Sequence, residues 1–221
     1  SYGLDYRQLF GDTALLDVCQ QLDEYLRQTC THSSGADLRI ESCVVDSGYR
    51  APNVYRFTRG KRPRGIVAGK GASTRRHPLI KGPSRIRHGN QKVWLVSVGV
   101  DEGKTMLFDY LGRSEPGPGY CHFPDYYPDN YFRMLAAEEY RERVSGSRTI
   151  GEWVKVAPRN ESIDLRVYNF AALAIAAPNL EKRLADLHKE IEQAEDNRTE
   201  GERHLLPPPQ KQGSFATRWK P

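Results

Sequence analysis

The strongest constraint on the fold of this chain is an alternation. Four short runs suited to strands, LRIESCVVD (38–46), RGIVAGKGA (64–72), KVWLVSVGV (92–100) and TIGEWVKVA (149–157), are interleaved with segments whose apolar residues recur at helical spacing. Leu15, Leu16, Cys19, Leu22 and Leu26 form one such stripe, with Asp12 or Thr13 as its cap. Pro52 opens a short helix over 52–58, and DEGKTMLFDYLG (101–112) has the spacing of another. DNYFRMLAAEEYRERV (129–144) predicts a helix capped by Asp129, and Asn160 caps the next, whose stripe is Ile163, Val167, Phe170, Ala171 and Ala174. YGLDYRQLF (2–10) reads as an opening strand, whereas the polar, basic 73–92 and the EPGPGY of 115–120 read as loops. Strands alternating with helices predict an α/β core with some antiparallel strands at its start. A length of 221 residues suits one main domain with a small appendage, and no internal repeat is present.

Charge is distributed unevenly along this frame. Between Ser47 and Val100 there are 13 Lys and Arg and no Asp or Glu, while the rest of the chain holds 20 basic against 28 acidic residues. Basicity so confined suits a patch facing a polyanion, although a solvated loop would have the same composition. Arg59, Lys61, Arg62, Arg64, Lys70, Arg75, Arg76, Lys81, Arg85 and Arg87 are the candidate phosphate contacts.

Cys19, Cys30, Cys43 and Cys121 have neither CxxC nor Cys/His zinc spacing and read as reduced thiols, with Cys19 and Cys43 in apolar settings. The longest apolar stretch, FAALAIAA (170–177), is far shorter than the roughly 20 residues that span a bilayer. GIVAGKGAST (65–74) departs from a phosphate loop because Gly71 follows Lys70. His77, His88 and His122 lack metalloprotease spacing and read as surface residues, and no GxSxG is present.

Two aspartates stand out. Asp46 ends a strand at a Ser-Gly turn, and Asp164 lies in the first turn of an apolar helix. Asp46 reads either as a turn residue or as a metal ligand. Asp164 either complements the helix N-terminus or shares a Mg²⁺ or Mn²⁺ site with Asp46. Two such ions activate water and stabilise the leaving oxygen of a phosphodiester.

Toward the C-terminus, Leu180, Leu184, Leu187, Ile191 and Ala194 form a narrow seam that suits packing on the domain or docking a partner. Residues 199–221 read as a flexible basic tail, with Phe215 and Trp219 as possible anchors.

The stretches LDYRQLFGD (4–12), QQLDEYL (20–26), CVVDSGYRAPNVYRF (43–57), GIVAGKGAS (65–73), VGVDEGKTMLFDYL (98–111), PGPGYCHFP (116–124) and RNESIDLRVYNFAALA (159–174) occur in the order found in a known family. Together they resemble the nuclease domain of the lambda-type phage terminase large subunit over about residues 1–180. The resemblance implies an RNase H-like mixed sheet flanked by helices over 1–178, a C-terminal helix over 179–198 and the tail beyond. It implies a metal-dependent endonuclease that cuts concatemeric viral DNA in the cytoplasm of the infected bacterium, with Asp46 and Asp164 as catalytic metal ligands. It further implies a first-strand aspartate upstream of Ser1, so that this chain reads as a fragment, weak or inactive alone, and it leaves Asp101 to helix capping. The implied partners are double-stranded DNA, the ATPase motor domain of the same polypeptide, the terminase small subunit and, through the C-terminal region, the portal protein. A module that binds DNA or the portal without catalysis is the alternative.

Overall fold

Val, Ile and Ala crowd the middle of the chain, and a sheet buried on both faces is where such runs belong. In the computed structural model, which describes residues 1–33, 37–74, 76–177 and 179–196, β3 (Cys43–Asp46), β4 (Ile66–Gly71), β5 (Ile80–His88) and β6 (Gln91–Val98) form one mixed sheet in the order β3-β4-β6-β5. β3, β4 and β6 run parallel, and β5 returns antiparallel along β6. Ile66, Val67 and Ala68 are at most 2% exposed, so neither face of β4 meets water.

Register aligns Asp46 with Gly69 and Gly69 with Val96, which places the three on one row across the sheet. On that face lie α3 (Val100–Leu111), α4 (Asp129–Leu135) and α5 (Glu161–Ala176), whose Leu107, Phe132, Ile163 and Val167 join Val67, Val96 and Val98 in the core. α3 and α5 cross closely at Gly103, where a Cβ would lie 2.6 Å from Val167 Cγ1. α2 (Ala51–Thr58) covers the opposite face, followed by a 3₁₀ turn at Arg62–Arg64.

Two hairpins flank this core. β1 (Thr29–Thr31) pairs with β2 (Asp37–Arg39) after α1 (Leu16–Tyr25), and β7 (Glu138–Ser145) pairs with β8 (Arg148–Lys155). α6 (Leu180–Asp196) lies against the domain. Its Arg183 is ion-paired with Glu41, and Leu184 and Leu187 line a cleft of about 1160 Å³ with Leu26, Ile40 and Leu173.

Several expectations are corrected. Residues 2–10 form no strand and contribute one isolated bridge, Tyr2 to His122. The run 38–46 breaks into β2 and β3. Within 73–92, expected as a loop, Ile80–His88 form β5 and β6 starts at Gln91, and the expected helix 129–144 ends early, its residues from Glu138 on belonging to β7. Asp12 closes the turn before α1 by accepting the Ala14 N–H at 2.8 Å, while Leu15 occupies the N-cap. Asp101 lies in the first turn of α3 behind the N-cap Gly99. His77 is 8% exposed, with Nε2 3.0 Å from Ser97 Oγ, so it is a core residue. All four cysteines are free, and burial pushes the Cys43 thiol up to about 11. The expected tail, with Phe215 and Trp219, lies outside the described residues.

Candidate active site

Asp46 is fixed from two sides. Its Oδ1 accepts the Gly48 N–H at 3.0 Å, which closes the Ser-Gly turn, and the Tyr168 hydroxyl at 2.7 Å. Ser47 ties the turn to β4, donating N–H and Oγ–H to the Gly69 carbonyl at 2.8 and 2.7 Å. Gly69 also makes room for Tyr168, because a Cβ there would lie 2.7 Å from the ring and 2.4 Å from Val44 Cγ1.

Tyr168 lies one helical turn beyond Asp164 on α5, and that spacing places the two on the same side of the helix. The tyrosine thereby links the strand aspartate to the helix aspartate. Burial raises its pKa, its hydrogen bond to Asp46 raises it further, and the charges of Asp46 and Asp164 add to this. At Asp164 burial raises the pKa, the Lys104 charge opposes it, and Glu138 and Asp46 raise it again. Asp46 and Asp164 therefore share one electrostatic neighbourhood, although they are 118 residues apart in sequence.

Beneath Asp164 lies a polar cluster that sequence reasoning missed. Glu138, 5% exposed at the start of β7, accepts Lys104 Nζ–H at 2.6 Å and Asn160 Nδ2–H at 2.6 Å. Asn160 Nδ2 also reaches Asp164 Oδ2 at 3.5 Å, and its Oδ1 accepts Lys155 Nζ–H at 2.9 Å. Asn160 is the N-cap residue of α5, as expected, but its side chain makes no capping hydrogen bond. One sequence signal was available: Lys104 occupies the buried stripe of α3 with Gly103 and Leu107. A lysine at such a position needs a buried partner.

The donor chemistry of Asp46 and Asp164 suits a hard divalent cation. Among the described residues no three His, Cys, Asp or Glu side chains are grouped to hold a metal. Mg²⁺ is commonly held by one or two carboxylates, with water and substrate phosphate oxygens completing its shell, so a pair fits that ion.

The basic candidates divide into groups. Lys61 and Arg64 hold Asp23 at 2.6 and 2.7 Å, with Arg27 as its third partner at 2.9 Å. Burial pushes Asp23 up, yet these cations outweigh it and hold the carboxyl well below its ordinary range. Both cations thus have an internal acid to serve. Arg62 and Arg85 flank Trp94, with guanidinium carbons 3.5 and 4.8 Å from its ring centroid. Lys70 is exposed toward the end of β4, Lys81 lies opposite Ser97 near the row of Asp46, and Arg87 lies opposite Lys92 toward the other end. Arg59 and Arg76 are exposed, Arg76 with a φ of 57°, and Arg75 lies outside the described residues.

The mixed sheet thus carries an aspartate at the end of a parallel strand and packs against a helix with a second aspartate in its first turn. The chain belongs to the family described as terminase large subunit gpA, endonuclease domain, whose model matches residues 1–186. It is 30% identical over 192 residues to the terminase large subunit of Escherichia phage lambda, covering 81% of this chain and 30% of that protein. It is 27% identical over 184 residues to the terminase large subunit of Enterobacteria phage P21, covering 78% of this chain and 28% of that one. The chain thus spans about 30% of the length of these relatives. No solved structure matches it.

Proposed function

We propose that this chain is the metal-dependent DNA endonuclease domain of a phage packaging terminase, cutting concatemeric DNA by hydrolysis of phosphodiesters. The observation that carries the reading is that Tyr168 of α5, hydrogen-bonded to Asp46 at the end of β3, lies one helical turn from Asp164, so that the two carboxylates share one electrostatic neighbourhood. Mg²⁺ or Mn²⁺ held by these two carboxylates would supply an activated water and stabilise the leaving oxygen. Asp46 is the more exposed ligand, oriented by Tyr168 and Gly48, and Asp164 is the half-buried one, bordered by Lys104 and Asn160. The exposed cations of 59–92 hold the DNA backbone in this reading, led by Arg62, Arg85, Arg87, Lys70 and Lys81.

The RNase H-like assignment belongs to the same proposal, supported by the three parallel strands, the carboxylate ending β3 and the aspartate of α5. So do the unit 1–178, a helix over 179–198 and a tail over 199–221, together with action in the infected host's cytoplasm on double-stranded DNA. The motor domain of the same polypeptide, the small subunit and the portal protein are its proposed partners. No helix among the described residues is long and apolar enough to cross a membrane.

Supercoiled plasmid incubated with the full-length large subunit and Mn²⁺, or with EDTA, tests the reading. Nicking with Mn²⁺ and none with EDTA is expected, with binding that weakens steeply as salt rises. Salt-sensitive binding that ignores metal, without nicking, would favour a non-catalytic DNA-binding module.

A further inference from the structure

The N-cap of α5 is spent on something other than its helix. An asparagine at this position ordinarily accepts an N–H from the first turn with its side-chain oxygen. Here Asn160 Oδ1 accepts Lys155 Nζ–H from β8 at 2.9 Å instead, and no side-chain capping bond forms. Engaging the oxygen in this way fixes which way the amide faces. Its Nδ2 is then directed at two carboxylates, Glu138 Oε1 at 2.6 Å and Asp164 Oδ2 at 3.5 Å. Glu138 is itself immobilised, buried at the root of β7 and held by Lys104 from α3 at 2.6 Å. Side chains from α3, β7, β8 and α5 thus converge on one amide.

We propose that Asn160 is a positioning residue for Asp164, its amide anchored by Lys155 and the Lys104–Glu138 pair so that the Asp164 carboxylate is held ready for a divalent cation shared with Asp46. Partners outside the ligand shell orient ligating groups in this manner, and their loss typically weakens metal binding by about 10- to 100-fold. The inference rests on the metal-dependent reading above. It adds a residue whose sequence appearance, an asparagine before a helix, points only to capping.

Mn²⁺ titration by calorimetry, on the 221-residue chain and on the full-length large subunit, separates positioning from capping. Asp164→Asn is the control for the site and Asn160→Ser is the informative variant, because serine caps a helix as well as asparagine but is too short to span Lys155, Glu138 and Asp164. The expected result is Mn²⁺ binding by the wild type, none by Asp164→Asn, and an affinity about 10- to 100-fold weaker in Asn160→Ser, with the metal-free melting temperature lowered by the loss of the Asn160–Glu138 hydrogen bond but the protein still folded. Lys155→Met, a change at an exposed side chain, should weaken Mn²⁺ in the same direction, and Lys155→Arg should restore it. Wild-type Mn²⁺ affinity in both Asn160→Ser and Lys155→Met, with Asp164→Asn still unable to bind, would overturn the positioning role and leave the metal site standing. Absence of Mn²⁺ binding by both wild-type proteins would overturn the metal reading, and the inference with it.

Discussion

The two ends of the four-stranded sheet handle charge differently. At the end where β3, β4 and β6 finish, the carboxylates of the candidate site are held by internal partners, Asp46 by Tyr168 and Gly48, Asp164 by Asn160, and Glu138 by Lys104 and Asn160, while Lys70 and Lys81 lie exposed nearby. Toward the other end, Arg85 and Arg87 are exposed on the edge strand, and Arg62 and Arg85 rest on the face of Trp94. Arg85 is opposite Trp94, two residues before the row of Asp46 and three strands away. At about 4.8 Å per strand and 3.3 Å per residue, their backbones lie roughly 16 Å apart. In the proposed reading, the held carboxylates suit chemistry and the exposed cations suit grip. A group that must present a fixed geometry is built into the core, whereas a group that follows a flexible polyanion is left on a long, mobile side chain.

The largest expected effect lies at the acidic end. Lys104→Met leaves the buried Glu138 charge without its ammonium, and removing one member of such a pair costs about 3–5 kcal/mol. Denaturant unfolding should show that loss, and a second change, Glu138→Gln, should restore part of it. If Lys104→Met is as stable as wild type, the acidic end is less rigidly built than this comparison holds. Gly69→Ala should cost about 1–3 kcal/mol, because its Cβ would press on the Tyr168 ring and on Val44. It should also separate Tyr168 from Asp46, visible as a change in tyrosine absorbance.

A third prediction sharpens the boundary between grip and scaffold. Burial pushes Asp23 up, but Lys61, Arg64 and Arg27 hold it down overall, so its folded pKa lies below its unfolded one. The stability it provides is complete above the unfolded value of about 4 and is lost as pH falls from there toward the folded value. Asp23→Asn should remove about 1.5–3 kcal/mol at neutral pH and flatten the decline of melting temperature below pH 4. An unchanged acid limb would mean that Lys61 and Arg64 are free for DNA after all. The smallest effect is at the basic end, where Arg85→Ala should leave stability nearly unchanged and lower the slope of log affinity against log salt by about 0.9, the contribution of one phosphate contact.

Much of this frame was legible from sequence because buried strands and amphipathic helices carry their pattern with them. β4, β6 and α5 are examples, with Val67, Val96 and Val167 in the core. β5 was hidden because its partly buried residues, Ile80, Pro83 and Ile86, recur every third position, with a bulge between Lys81 and Ser84 breaking the two-residue alternation. β7 was hidden because beyond Glu138 it is exposed along its length, so its Glu and Arg residues carried only helix propensity, and pairing with β8 overrode it. The aspartates of the site were legible individually, one at a strand end and one at a helix start. Their shared electrostatic neighbourhood was not, since it depends on α5 packing on β3 and on Tyr168 filling the space that Gly69 leaves. Glu138 and Asn160 were illegible as partners for the same reason: the contact is made only in the folded molecule.

The most direct test is Mn²⁺-dependent nicking of supercoiled plasmid by the full-length large subunit carrying Asp46→Asn or Asp164→Asn. A bound metal contributes several kcal/mol to such a reaction, so each change should lower the rate by about three orders of magnitude while leaving salt-dependent DNA binding in EDTA intact. Nicking at the wild-type rate by either variant would contradict the assignment of that carboxylate to the metal site.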